Sequence, residues 1–165
     1  MWSDVVYRAE QLHLLRVFFW GALSVLSGTA LLLLVVVRPR SSSLVRQFAL
    51  QCVAWGSLEL VLAGLAYRAL SLRDVAGSAR LERAAWLALG LYVGVIAVGM
   101  TIGIAAGRLD KRGRSIVSAD GPASAPEETI PSGHALSGIG TGMGIGLQGL
   151  ALAVLQLLFI AGLSR

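Results

Sequence analysis

Long apolar runs alternate with short polar connections along this chain. Val17 to Val37, Gln47 to Tyr67, Ala84 to Gly107 and Ala135 to Leu163 contain no Lys or Arg, and Glu59 is the one acid within them. A hydrocarbon core about 30 Å thick needs roughly 20 helical residues to cross it, and each run supplies them. The pattern predicts four transmembrane helices, with spans at about 14–37, 47–69, 84–107 and 135–163 and a flexible loop over 108–132. The expected fold class is all-α, a four-helix transmembrane bundle forming a single domain over residues 1–165. The first run is too long for the apolar stretch of a signal peptide, lacks a small-x-small cleavage site, and ends at Arg38-Pro39-Arg40. It reads as an uncleaved span.

Composition supports the same reading. Hydrophobic residues make up 56% of the chain and the mean hydropathy is +0.75, above an ordinary soluble domain. The net charge of +5 and pI near 10.3 would suggest nucleic acid in a soluble protein. Here the arginines flank apolar helices, where they meet anionic lipid headgroups, so no nucleic-acid partner is expected. Cys52 is the single cysteine and excludes an intrachain disulfide. Four spans place both termini on one membrane side, with Arg8, Arg16, Arg68, Arg73, Arg80, Arg83 and Arg165. Arg38, Arg40, Arg46, Arg108, Lys111, Arg112 and Arg114 lie on the other. This even division leaves the orientation open under the positive-inside rule.

Glycine is concentrated where helices should meet. Gly90 and Gly94 form one small-xxx-small step in the third run, and Gly99, Gly103 and Gly107 form another. In the fourth, Gly138, Gly142, Gly146 and Gly149 line one face while Gly140 and Gly144 lie nearly opposite. Such a helix is expected between two neighbours. Gly144-Ile145-Gly146-Leu147-Gln148-Gly149 formally fits the dinucleotide fingerprint, but that motif needs a preceding strand and a following acid. Within an apolar helix the glycines read as packing positions.

Four polar residues inside the spans share a depth. On a rise of about 1.5 Å per residue, Glu59 lies about 18 Å from the Arg38 side. Ser24, Tyr92 and Gln148 fall within a few Å of that level on the other helices. A carboxylate at mid-bilayer costs at least about 2.5 kcal/mol, so it should face the bundle interior and have partners. One reading makes Glu59 a hydrogen-bonded clasp, taking bonds from the Tyr92 hydroxyl and the Gln148 amide with Ser24 completing the set. The other makes it a proton- or cation-exchanging group in a transport cycle.

Pro131-Ser132-Gly133-His134 stands just before a helix and resembles the P-S-G-H element of the membrane phosphatidic-acid-phosphatase superfamily. The resemblance implies a phosphate site in which Ser132 and Gly133 hold phosphate and His134 is the general acid. Arg38-Pro39 is similar to the end of that family's upstream K-x6-R-P element, with Leu31 at the lysine position. No S-R-x5-H-x3-D segment follows, so the nucleophilic histidine is missing. His13, the other histidine, belongs to the opposite membrane face, which also excludes a metal or haem bridged by His13 and His134. No metal and no cofactor are expected.

The segments Gln51-Cys52-Val53-Ala54-Trp55-Gly56-Ser57-Leu58-Glu59, Leu91-Tyr92-Val93-Gly94 through Gly99, and Gly140-Thr141-Gly142-Met143-Gly144 through Gln148-Gly149 share an order with one known pattern. In that order the chain resembles an uncharacterised family of small four-helix bacterial integral membrane proteins. Tyr92 stands where that family often has Asp, and Val95 where it often has Tyr. The resemblance implies a bacterial cytoplasmic membrane location and brings no activity with it. The functional expectation is a non-enzymatic helix-packing or assembly component, associating with itself or with other membrane proteins. A small transporter using Glu59 is the alternative, and a lipid-phosphate enzyme using His134 comes after it.

Overall fold

The computed structural model describes residues 2–38, 42–72, 74–119 and 133–163, and these fold into four α-helices with no strand. They are α1 (Trp2–Val37), α2 (Ser43–Arg68), α3 (Val75–Ala119) and α4 (Gly133–Leu163). All four are long and apolar enough to cross a membrane. The all-α bundle is therefore present in the structure.

Helix ends differ from the hydropathy boundaries for a simple reason. Loss of apolar character marks where a helix would leave lipid, whereas Arg, Lys and Glu are good helix formers that carry it on into water. Helix α1 accordingly begins at Trp2, well before residue 14, and α3 begins at Val75. The expected loop over 108–132 is corrected in its first part, because α3 continues through Arg108 and on to Ala119. The remainder of that segment, with Ser132, lies outside the described residues.

Local chemistry sets the other boundaries. Ser42 caps α2 from an extended backbone (φ −66°, ψ 133°), its hydroxyl accepting the Leu44 N–H at 3.3 Å. Asp74 caps α3 in the same way, with Gly77 N donating to Oδ1 at 2.7 Å and Ser78 N donating to the Asp74 carbonyl at 3.0 Å. At the end of α2 the Ala69 N–H reaches the carbonyls of Leu65 and Ala66 at 3.2 and 3.1 Å, tightening the final turn.

The helices pack as two hairpins joined through α4. Helix α1 packs on α2 and α3 packs on α4, while α4 also contacts α2 and, less extensively, α1. The α1–α2 contact is a seam of small residues. Ala49, Cys52, Gly56, Glu59 and Ala63 are buried on α2, alternating three and four residues apart as in a left-handed coiled coil. Gly21, Ser24 and Gly28 are the buried residues that meet them from α1. Helix α3 is the outlier, with little of its apolar span covered by the rest of the chain.

Candidate functional site

The interior polar groups gather around Glu59 and Gln148. Glu59 occupies a seam position on α2, and a Cβ placed on Gly21 of α1 would lie 3.2 Å from its Cβ. A side chain on either Gly21 or Gly56 would hit backbone, since a Cβ on Gly56 would lie 2.7 Å from the Gly21 carbonyl. The two glycines thus bring the α1 and α2 backbones together at the level of the carboxyl. Glu59 is only 4% exposed, and both of its oxygens are buried without a hydrogen-bond partner among the described residues.

Gln148, 1% exposed, makes its hydrogen bonds to α1. Its Nε2 donates to the Ser24 hydroxyl at 3.1 Å and its Oε1 accepts the Trp20 indole N–H at 2.7 Å. The expected clasp on Glu59 is therefore corrected: Trp20 holds the carbonyl end of the Gln148 amide and Ser24 takes the other end. Tyr92 is half-buried on α3 and makes no hydrogen bond to Glu59. Its carbonyl lies 3.1 Å from where a Cβ on Gly149 would stand, so it reaches this level through its backbone.

The α4 glycines divide by direction, as about 100° per residue requires. Toward α3, a Cβ on Gly142 would stand 2.5 Å from the Gly99 carbonyl, and one on Gly99 would stand 2.6 Å from Gly146 N. Gly138 meets Ala106 and Gly149 meets Ile96 on the same side. Toward α2, Gly140 closes on the Leu44 backbone and Gly144 on Gln51. Gln148 lies between the two faces and is turned to α1. Gly103 contributes its backbone nitrogen to the Gly142 contact, 2.6 Å from the added Cβ. Gly90 and Gly94 are different: among the described residues nothing stands within 4 Å of a Cβ on either.

The two histidines lie at opposite ends of α4. His13 stacks on Phe159 near the end of α4, with ring centroids 4.5 Å apart, and its Nδ1 is buried without a partner among the described residues. His134 is exposed in the first turn of α4. Beside it the Gly133 carbonyl accepts the Ser43 hydroxyl at 2.8 Å, and Arg38 is exposed at the end of α1. No second histidine joins them there. Among the described residues no group of three His, Cys, Asp or Glu could hold a metal.

Trp20, Gln156 and the α1–α2 glycines had no place in the sequence reading. Gln156 is buried on α4 and donates to the Ala85 carbonyl of α3 at 3.1 Å. Its signal was available as a second amide in an otherwise apolar helix. The seam was also visible, as the three-and-four alternation of Ala49, Cys52, Gly56, Glu59 and Ala63. Compared with known protein families, curated proteins and solved structures, the chain matches none.

Proposed function

We propose that this chain is a non-enzymatic integral membrane protein whose working group is Glu59, a carboxyl that exchanges a proton or small cation within the bilayer. The single observation supporting this is the burial of both Glu59 oxygens without a hydrogen-bond donor among the described residues. A structural clasp would have its lone pairs filled, because an unmet acceptor in a dry interior costs about 1–3 kcal/mol. A group that must take up and release a proton or ion instead keeps those positions open. The resemblance to small bacterial membrane proteins would put it in a bacterial cytoplasmic membrane, and four spans would put both termini on one side.

The test is ion movement across vesicles containing the purified protein, followed with an internal pH-sensitive dye. Glu59→Gln keeps the shape and removes the titratable oxygen, so dissipation of an imposed pH gradient should fall to that of empty vesicles. Labelling by a hydrophobic carbodiimide gives an independent readout, since the acid O–H adds across one C=N bond and its proton moves to nitrogen. The adduct should form on Glu59. Equal flux for the native chain and Glu59→Gln overturns the reading.

A second reading, assembly through helix faces, draws support from α3. Gly90 and Gly94 leave bare backbone on a helix with no neighbour on that side among the described residues, and small-xxx-small steps allow close approach of a partner helix. That partner would be another copy or another membrane protein. Mass measurement in nanodiscs separates a monomer from an assembly. The lipid-phosphate enzyme has less behind it, because His134 and Arg38 are both exposed and the nucleophile is missing.

A further inference from the structure

At the bundle end where α1 finishes and α2 begins, a cavity of about 400 Å³ opens between the two helices. Its walls are Leu32, Val35 and Val36 from the last turns of α1, with Ser43 and Arg46 from the first turn of α2. We propose that this groove is a binding site for one anionic glycerophospholipid of the adjoining leaflet, its acyl chain against the apolar wall and its phosphate at Arg46.

Three observations carry the assignment. The first is shape and polarity: the apolar wall belongs to the membrane-crossing part of α1, and the two polar residues stand together in the first turn of α2. The groove thus has an oily length and a polar mouth at the depth of the headgroups.

The second is charge. The exposed Arg46 guanidinium has no acidic partner among the described residues, and its backbone N–H is already used by the Ser42 carbonyl at 3.3 Å. A free arginine fork suits a phosphodiester, which it can bind with two parallel hydrogen bonds.

The third is the helix itself. The 26-residue α2 starts at the mouth, so the positive end of its dipole adds potential where the phosphate would sit. Ser43 does not compete for that position, because its hydroxyl donates to the Gly133 carbonyl at 2.8 Å. That bond instead ties the start of α4 to the rim and holds the mouth in shape. A zwitterionic lipid fits the apolar wall equally well, but its own ammonium or choline reduces the attraction to Arg46.

The experiment measures association of spin-labelled phosphatidylglycerol and phosphatidylcholine with the full chain in phosphatidylcholine bilayers. The native protein should prefer phosphatidylglycerol, and Arg46→Gln should lower that preference about fivefold. Arg108→Gln, at the same bundle end but outside the groove, should leave it nearly unchanged. Val36→Trp fills the apolar length without touching charge and should reduce the bound population of both lipids. This variant keeps the proposal testable should Arg46→Gln fail to fold. Equal losses from Arg46→Gln and Arg108→Gln would assign the preference to diffuse basic charge and overturn the site. Displacement of the labelled lipid by inorganic phosphate would assign the mouth to a free ion and overturn it as well.

Discussion

The Trp20 indole N–H meets the Gln148 carbonyl oxygen at 2.7 Å, and this contact decides how the bundle interior is wired. With one end of the Gln148 amide held by α1, its other end falls on the Ser24 hydroxyl, also on α1. Two residues of one helix thereby fix the orientation of the most buried side chain of another. Glu59, at the same level, is left without a donor among the described residues. The polar layer is consequently divided into a satisfied amide cluster and an open carboxyl.

That division predicts coupling between Trp20 and Ser24. Trp20→Phe and Ser24→Ala each remove one Gln148 bond and should cost about 1 kcal/mol, in the range of hydrogen bonds between membrane helices. In the double variant the amide loses its fixed orientation, so the combined cost should differ from the sum by about 0.5–1 kcal/mol. Unfolding titrations in mixed micelles measure all four species. Strict additivity would show that the two bonds are not coupled through the amide.

Glu59 should behave in the opposite way. Leu has nearly the same volume and requires no hydrogen bond, so Glu59→Leu should leave stability unchanged or raise it by about 1–2 kcal/mol. The same variant should be inactive in the gradient assay. A stable but inactive variant separates a working carboxyl from a structural one, and a destabilised variant would mean that the carboxyl is bonded in the bilayer.

Helix α3 depends on its first turn because little of it is covered by other helices. Asp74→Ala removes the 2.7 Å bond from Gly77 N and should cost about 1 kcal/mol. Amide exchange should quicken at Gly77 and Ser78 first, with the middle of α3 unaffected. Asp74→Asn keeps an acceptor at that position and should restore most of the protection.

The fold was legible because a helix surrounded by lipid must be apolar on every face, so the lengths of the runs alone reveal four helices. Helix ends were not legible in the same way: Arg108 to Ala119 looks like the start of a loop by hydropathy, yet nothing in its backbone chemistry stops a helix. For the site, depth arithmetic put Ser24, Glu59, Tyr92 and Gln148 at one level, but depth does not say which way a side chain turns. Trp20 competes for the Gln148 amide from a position one turn away, and its role depends on the rotation of α1 about its axis. Rotation was encoded in the small-residue alternation of α2, a weaker signal than the glycine clusters of α3 and α4.

Those glycine clusters divide into two classes that the same substitution distinguishes. At Gly142 an added methyl would stand 2.5 Å from the Gly99 carbonyl and 2.6 Å from Gly103 N. Both atoms are backbone and cannot swing aside, so α3 and α4 must move apart and lose dispersion contacts along the seam. Gly142→Ala and Gly99→Ala should therefore each cost about 1–3 kcal/mol. At Gly90 and Gly94 nothing among the described residues lies within 4 Å of an added Cβ, and alanine removes the conformational freedom that glycine brings to a helix. Each of these substitutions should stabilise the isolated chain by up to about 1 kcal/mol. If α3 is also the face through which copies associate, Gly90→Ala and Gly94→Ala will raise stability in detergent while weakening association in the bilayer. Unfolding in micelles paired with single-molecule photobleaching in liposomes reads both quantities. A rise in stability with unchanged copy number would leave α3 facing lipid and remove the assembly reading.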